Sequence, residues 1–255
     1  MTSRLTGKTA LVTGSTSNIG KAIAIALADE GAQVVVSGRD PGRGAEVVAE
    51  IGSRGGRATF VAADINGARA ASHQLAQEAI AALGGRLDIL VNNAGIYPTA
   101  HTTDAQEDDF DLMYGVNVKA PFFLTQAVLP TMVEAGGGVI INLSSWVVRL
   151  GVGAGALYSS TKGAIETLTR AWSSEFADRG IRVNAISPGV ILEGGHDPAS
   201  PLAVMMAGTP AGVIGAPEAV AQAAVYLASE DSSFVHGAVL DVDGGRANVA
   251  VVANS

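Results

Sequence analysis

The chain contains no cysteine, and charged residues make up only 16% of its 255 positions. The absence of cysteine excludes disulfides, thiolate metal sites and a cysteine nucleophile. The formal net charge is −8 and no basic run occurs, so we expect no nucleic-acid or anionic-membrane partner. The four histidines lack metal-ligand spacing, and we therefore expect no metal site.

Long apolar runs are also absent. No uninterrupted apolar stretch approaches about 18 residues, the length that indicates a membrane-spanning helix. The first residues lack the apolar segment of a signal peptide. We therefore expect a cytoplasmic protein with no membrane partner.

Short β-branched runs alternate with longer alanine-rich segments of helical period. Hydrophobic residues make up 48% of the chain and the mean hydropathy is +0.32, which indicates strands buried on both faces. This alternation predicts one doubly wound α/β Rossmann domain over residues 1–255, with a mostly parallel seven-stranded sheet and helices on both faces. The predicted strands are 9–13, 33–37, 58–62, 87–92, 139–143, 182–186 and 238–242; the predicted helices are 19–30, 42–54, 68–83, 107–134, 157–179 and 218–229.

The segment between the sixth strand and the last helix breaks this pattern. Residues 194–210 combine glycines, three prolines and a short methionine-rich stretch. This composition predicts a mobile substrate loop at about residues 190–212. A plain surface excursion is the alternative.

A glycine-containing turn follows the first predicted strand and opens a helix. Gly14, Ser17, Asn18, Ile19 and Gly20 are its candidate phosphate-binding residues, because backbone N–H groups at a helix N-terminus attract anions. Asn18 stands where a middle glycine is usual, and asparagine tolerates left-handed backbone geometry. The alternative is an ordinary strand-to-helix turn.

The end of the second predicted strand bears on the choice of nucleotide. Gly38 stands where a carboxylate would bind the ribose, and Arg39 follows it. A guanidinium can stack on adenine and bind a phosphate, so we expect NADP(H) in preference to NAD(H). Alternatively, Arg39 pairs with Asp40. Asp64, after the third strand, either accepts from the adenine amino group or caps the next helix.

Tyr158 and Lys162 are four residues apart on a predicted helix, so they share a face. The ammonium is expected to lower the pKa of the phenol toward the range in which it exchanges protons. Ser145 ends a strand, where its hydroxyl can bond an oxygen that gains charge. The Tyr-x-x-x-Lys pair alone is a weak signal, and a core tyrosine is the alternative.

From Gly7 to about Arg246 the chain resembles a short-chain dehydrogenase/reductase of about 250 residues. Each motif is modestly specific, but eight in the family's order are highly specific. The matching pieces are the 13–20 loop, Asp64, Asn92-Asn93-Ala94-Gly95, Asn117, Asn142-Leu143-Ser144-Ser145, Tyr158-Ser159-Ser160-Thr161-Lys162, Asn184-Ala185-Ile186-Ser187-Pro188-Gly189 and Asp243-Gly244-Gly245.

The resemblance implies roles for particular residues. Asn117, Ser145, Tyr158 and Lys162 would form the catalytic set, with Lys162 also holding the nicotinamide ribose and Asn117 a water that links Lys162 to solvent. Asn117 could instead relieve a helix kink. Glu193 departs from the family, which places a threonine there against the carboxamide. The implied cofactor contacts include the candidate residues of the 14–20 turn, Arg39 and Asp64. The further implied contacts are Ile65, Asn93, Ala94, Gly95, Tyr158, Lys162, Pro188, Gly189, Val190, Ile191 and Glu193.

The resemblance also implies a function, an NAD(P)(H)-dependent oxidoreductase that interconverts a carbonyl and a secondary alcohol. The alternative is a nucleotide-binding regulatory or scaffold protein with little turnover. Residues 133–138 lack the basic side chains that would meet an acidic carrier protein. A small or medium ketone or alcohol is therefore the expected substrate, and a sugar, a steroid and an acyl-thioester remain open choices. Apolar helix faces at 120–134 and 157–179 suggest a homotetramer or homodimer, unless they only cover their own sheet.

Overall fold

The sheet has seven strands, and all of their pairings are parallel. The computed structural model describes residues 3–194 and 197–250. The strand order is β3-β2-β1-β4-β5-β6-β7, which is the doubly wound Rossmann arrangement and confirms the predicted fold class. The strands are β1 (Thr9–Val12), β2 (Gln33–Gly38), β3 (Arg57–Ala62), β4 (Ile89–Asn92), β5 (Gly138–Leu143), β6 (Ile181–Pro188) and β7 (Val239–Val242).

Helices cover both faces of the sheet. One core cluster contains Ala10 and Val12 of β1 together with residues of α1, α2 and α8. The other contains Leu11 of the same strand together with residues of α3, α5 and α6. Successive strand residues point to opposite faces, so β1 supports both layers. The helices are α1 (Asn18–Asp29), α2 (Pro41–Ser53), α3 (Arg69–Ala82), α4 (Glu107–Tyr114), α5 (Ala120–Glu134), α6 (Ala156–Glu175), α7 (Pro201–Ala207) and α8 (Pro217–Ala228).

The single helix predicted over residues 107–134 is interrupted. Helices α4 and α5 are separated by a π-helical turn, Gly115–Lys119. This turn contains Asn117, which is buried and hydrogen-bonded to a neighbouring loop. π turns inside α-helices occur frequently at functional sites. The helical period did not reveal the interruption because a π turn is a single turn inside an otherwise helical segment.

The predicted substrate loop contains a short helix that the sequence pattern did not reveal. Helix α7 begins after Ser200, whose hydroxyl accepts from the Ala203 N–H at 3.2 Å. Its buried Met206 packs with Val190 and Ile214. The segment is therefore anchored at its ends. Gly195 and His196, within the predicted loop, lie outside the described residues.

In the parts of the chain that the structure describes, no helix combines the length and the apolarity that crossing a bilayer requires.

The loop before α6 contains a strained residue. Ala154 has a φ of +58°, a left-handed conformation that costs an L-residue with a Cβ roughly 1–2 kcal/mol. We expect Ala154→Gly to leave the free energy of unfolding unchanged or to raise it by up to about 1 kcal/mol, after the greater freedom of glycine in the unfolded chain is subtracted. Urea unfolding measures the difference.

Ala164→Gly, in the middle of α6, is the matched control. It should lower the free energy of unfolding by about 0.5–1 kcal/mol. Equal destabilisation by both variants would show that Ala154 is not strained.

Candidate active site

A cleft of about 490 Å³ opens at the carboxyl ends of the strands. It lies across β1 and β4, where the strand order reverses, the usual ligand position in such sheets. The structure brings most of the predicted site residues into this cleft. Those that line it are Gly14, Ser17, Asn18, Ile19, Gly20, Arg39, Asp64, Ile65, Asn93, Ala94, Gly95, Ser145, Tyr158, Lys162, Pro188 and Gly189.

The turn between β1 and α1 is tightly constrained. Gly14 has a φ of +62°, and a Cβ on Gly20 would lie 2.3 Å from the Gly14 carbonyl oxygen. Asn18 adopts a φ of +45°, the left-handed geometry that we expected asparagine to tolerate. Its Oδ1 is buried and has no hydrogen-bond partner among the described residues. The turn therefore keeps its shape without a middle glycine.

Asn93 holds this turn in place. Its Nδ2 donates to the carbonyl oxygens of Thr13 at 2.8 Å and Gly14 at 3.1 Å. In return, the Thr13 hydroxyl accepts from the N–H groups of Asn93 and Ala94, each at 3.0 Å. The Asn93 side chain thus joins the ends of β1 and β4. Asn93 was predicted to contact the cofactor, and in this structure its side-chain amide holds the turn.

The end of the cleft beyond β2 carries two guanidinium groups. Gly38 packs against Thr16, since a Cβ on the glycine would lie 2.7 Å from Thr16 Cγ2. Asp40 caps α2 and forms an ion pair with Arg43 at 3.4 Å. Among the described residues Asp40 therefore pairs with Arg43, and not with Arg39 as the alternative interpretation of Arg39 required. Arg43 lines the cleft beside Arg39. Sequence reasoning missed Arg43, although a second arginine within one helical turn was a usable signal.

Asp64 does not cap a helix. Helix α3 begins at Arg69, and its N-cap Ala68 has no side-chain acceptor. Asn66 Oδ1, not Asp64, accepts from the Ala68 N–H at 3.1 Å. The helix-capping role considered for Asp64 is therefore excluded. Asp64 lines the cleft, which agrees with the other role considered, a contact with the adenine amino group.

The predicted catalytic side chains converge beyond β5. Lys162 Nζ donates to the Leu143 carbonyl oxygen at 2.7 Å and lies 5.7 Å from the centre of the Tyr158 ring. Burial raises the pKa of Tyr158, while a hydrogen bond with Ser145 opposes the rise. The expected lowering of the phenol pKa by Lys162 is therefore wrong for the protein alone. Burial instead lowers the pKa of Lys162 from 10.5 to about 8.

Asn117 lies behind these residues and does not line the cleft. Its Oδ1 accepts from the Ile96 N–H, and its Nδ2 donates to the Ile96 carbonyl, both at 2.8 Å. The same Nδ2 donates to Thr161 Oγ1 at 3.1 Å. The side chain therefore fixes the backbone after β4 against α6. Its expected water link to Lys162 stays a prediction.

Ser144 turns away from Ser145, as the strand alternation predicts. Its hydroxyl donates to the buried Glu166 Oε1 at 2.7 Å. This interaction ties β5 to α6 one residue before the serine that meets Tyr158, so Ser144 has a structural role.

Three predicted cofactor residues lie outside the described lining of the cleft. Val190 is buried in the small cluster with α7, and Ile191 forms a β-bridge with Gly215. The Glu193 carboxylate lies 3.8 Å from Lys21 Nζ, on the side of α1. The structure therefore directs Glu193 toward the surface between helices rather than toward the position expected for the nicotinamide.

Further side chains around Ser145 and Tyr158 were not predicted. Tyr97 lines the cleft with its ring centre 6.1 Å from that of Tyr158. The Arg246 guanidinium lies 4.3 Å from the centre of the Trp146 ring and donates to the Met205 carbonyl at 2.8 Å. Arg246 thus connects the turn after Ser145 to α7. Irregular segments of this kind have no periodic signal in the sequence.

The fold and cleft define a Rossmann-type protein with a Tyr–Lys–Ser cluster at the end of a nucleotide-sized cleft. Residues 14–247 match the family model described as enoyl-(acyl carrier protein) reductase. The chain belongs to the short-chain dehydrogenase/reductase family. It is an oxidoreductase that acts on CH–OH donors, as its dehydrogenase and reductase relatives are.

Two curated relatives illustrate the similarity. An "uncharacterized oxidoreductase" of Thermotoga maritima is 37% identical over 95% of this chain and 98% of its own length. D-threitol dehydrogenase of Mycolicibacterium smegmatis is 37% identical over 95% of this chain and 94% of its own.

Solved structures agree with these sequence matches. A short-chain type dehydrogenase/reductase from Mycobacterium marinum has a TM-score of 0.88 at 32% identity, covering 97% of this chain and 98% of its own. A blue fluorescent protein from a metagenomic library, in complex with NADPH, has a TM-score of 0.88 at 33% identity, covering 96% and 99%.

The buried ammonium of Lys162 reduces stability. Its pKa is lowered from 10.5 to about 8, which corresponds to a loss of about 3 kcal/mol in the free energy of unfolding. The hydrogen bond from Lys162 to the Leu143 carbonyl stabilises the fold by about 1 kcal/mol, and a variant without the ammonium loses it. We therefore expect Lys162→Met to raise the free energy of unfolding at pH 7 by about 1–3 kcal/mol, measured by denaturant titration, although activity is lost.

The pH dependence provides a second readout. The unfolded chain binds more protons between pH 8 and 10.5 than the folded one, because the folded pKa of Lys162 is the lower. The wild type should therefore gain stability as the pH rises through this window, and Lys162→Met should not. Exposed Lys119→Met is the control. A variant less stable than the wild type at pH 7 would contradict the argument.

Proposed function

We propose that this protein is an NADP(H)-dependent carbonyl reductase or secondary-alcohol dehydrogenase in which Tyr158 is the general acid and base. The observation that carries the proposal is the meeting of Ser145, Tyr158 and Lys162 at one end of the cleft, with a phosphate-binding turn at its centre. The alternative of a scaffold with little turnover rested on Asn18 and Glu193. Neither residue disturbs this arrangement, and the relatives include dehydrogenases and reductases.

The described residues fit a dinucleotide. A Cβ on Gly20 would collide with the Gly14 carbonyl and with Asn93 Nδ2. Glycine therefore lets the turn pack closely at the α1 N-terminus, where a pyrophosphate is favoured. Asp64 and Ile65 line the adenine side, and Pro188 and Gly189 the nicotinamide side. When bound, the nicotinamide supplies or accepts the hydride.

The protein's own residues then handle the proton. Tyr158 donates its hydroxyl proton to the carbonyl oxygen in reduction, and it accepts the alcohol proton in oxidation. Ser145 bonds the same oxygen as charge develops on it. Lys162, cationic at neutral pH despite its lowered pKa of about 8, stabilises the phenolate.

The preference for NADP(H) rests on the side chains after β2. Position 38 offers no carboxylate to repel a 2′-phosphate, and a larger side chain there would collide with Thr16. Arg39 and Arg43 supply two guanidinium groups at the same end of the cleft. Guanidinium groups bind phosphate through charge-assisted, bidentate hydrogen bonds.

Removing the phenol hydroxyl tests the chemistry. We expect Tyr158→Phe to lower kcat by about 10²–10⁴-fold, the usual contribution of a general acid or base, while the dissociation constant for NADPH is unchanged. Steady-state kinetics and nucleotide fluorescence measure the two. The control is Tyr114→Phe, which removes a hydroxyl that bonds Ser160. A Tyr158→Phe variant as active as the wild type would refute the assignment.

Arginine variants test the choice of nucleotide. Arg39→Ala and Arg43→Ala should each weaken NADPH binding by about 10- to 100-fold, because each removes a charged hydrogen bond, and should leave NADH binding unchanged. Arg57→Ala, at the opposite end of β3, is the matched control. If NADH binds the wild type more tightly than NADPH, the cofactor assignment is wrong.

The remaining expectations stay predictions. They are a small-molecule alcohol or ketone substrate, a cytoplasmic location, one domain over residues 1–255 with a mobile 190–212 loop, and a homotetramer or homodimer. Phe122, Phe123 and Leu168 line an apolar groove between α5 and α6, and Phe122 is 40% exposed. We propose that a second copy covers this groove; analytical ultracentrifugation of Phe122→Glu tests it.

A further inference from the structure

Tyr97 is an aromatic side chain that the fold leaves open to solvent. It is 73% exposed, although tyrosines usually gain from burying their large apolar surface. The exposure does not come from a loose backbone, because Asn117 holds both the N–H and the carbonyl of the preceding Ile96 at 2.8 Å. The following Pro98 further restricts Tyr97 to extended geometry. The ring is therefore presented from a fixed position.

The open ring lies beside the predicted proton donor. The Tyr97 and Tyr158 ring centres are 6.1 Å apart, with the planes at 61° in an edge-to-face arrangement. Tyr97 also lines the same cleft as Tyr158 and Ser145. A substrate whose oxygen bonds Tyr158 must come within about 3 Å of that hydroxyl. Its substituents then lie within contact distance of the Tyr97 ring.

The charges of the cleft are separated along its length. Among the described lining residues, Arg39, Asp40, Arg43 and Asp64 follow β2 and β3, and Lys162 is the remaining charged group. Lys162 is buried and its Nζ is bonded to the Leu143 carbonyl.

The nearby Arg246 is also engaged, since it stacks on Trp146 and bonds the Met205 carbonyl, and it does not belong to the described lining. Among the described residues, the end of the cleft at Tyr158 therefore offers an aromatic face and hydroxyl groups, with no charged side chain directed at an anionic substrate. A carboxylate or phosphate bound there would lose its hydration without gaining a partner.

We propose that Tyr97 contacts the substrate and selects neutral secondary alcohols or ketones that carry an apolar ring at or next to the reacting carbon. The proposal rests on the proposed function, because it takes Tyr158 as the group that bonds the reacting oxygen. The ring of such a substrate covers the open face of Tyr97, and this contact removes apolar surface of both groups from water.

Kinetics at saturating nucleotide test the proposal. The probes are cyclohexanol as the neutral ring, 2-propanol as an alcohol too small to cover Tyr97, erythritol as a linear polyol, and 3-hydroxybutyrate as an anion. We expect kcat/KM to be highest for cyclohexanol. Tyr97→Ala should lower this value about tenfold or more, the scale of losing one apolar contact surface in a pocket, and should lower the value for 2-propanol much less.

Tyr97→Phe is the matched control, because it keeps the ring and removes the hydroxyl. It should retain the preference for cyclohexanol. Tyr226→Ala, an exposed tyrosine on α8, should change nothing. A preference for erythritol or 3-hydroxybutyrate, or equal loss with cyclohexanol and 2-propanol in Tyr97→Ala, would overturn the proposal.

A binding measurement separates this proposal from the proposed function. Tyr158→Phe with NADP⁺ bound should still bind cyclohexanol, detected by saturation-transfer NMR, and the double variant Tyr97→Ala/Tyr158→Phe should bind it at least tenfold more weakly. If Tyr158→Phe retains turnover while Tyr97→Ala loses ring binding, the proton donor is wrong and the ring contact stands. If Tyr158→Phe and the double variant bind cyclohexanol equally well, the contact with Tyr97 is refuted.

Discussion

The arrangement of the site depends on one constraint, that all seven strands run in the same direction. Parallel strands need crossovers through helices, so every strand ends at the same edge, and the order reversal between β1 and β4 opens a cleft there. Residues far apart in the chain, such as Gly14, Arg39 and Ser145, share this edge for that reason. The direction and order of the strands therefore decide which positions of the chain lie together at the site, whatever side chains they carry.

Bringing strand ends together also buries polar groups, which must find partners. Asn92 donates to Asn142 and Asn142 to Thr169, each at 2.9 Å, across β4, β5 and α6. Asn93 does the same for the first turn. The hydrogen bonds that these asparagines donate link the strand ends, whereas the Oδ1 atoms of Asn18 and Asn92 have no partner among the described residues and the buried Lys162 ammonium bonds one carbonyl. Poorly compensated groups cluster at functional sites because function retains them against their cost in stability.

The sheet, its helices and most of the cleft could be predicted because each follows from a period or from a residue type with a physical preference. Asn18 illustrates this, since its tolerance of positive φ was sufficient to predict the turn. The interruption at Asn117 and helix α7 could not be predicted from period, since both depend on contacts made only in the folded chain. The direction of the Tyr158 pKa was wrong because burial, which a sequence does not show, opposes the effect of nearby groups.

The same distinction separates the two ends of the cleft. The nucleotide end is formed by strand termini and helix N-termini, whose geometry the sheet fixes. The other end is lined in part by irregular segments, which are the residues after Asn93 and Ser145 after β5. The turn contacted by Arg246 and the loop with the strained Ala154 follow Ser145 in the chain. Side chains on such segments can change without disturbing the strand ends or the Ser145–Tyr158–Lys162 cluster. Substrate choice can therefore change within this fold while the proposed proton chemistry is retained. Tyr97 lies at the boundary between the two, because it follows Ile96, whose backbone Asn117 holds, and its ring is exposed.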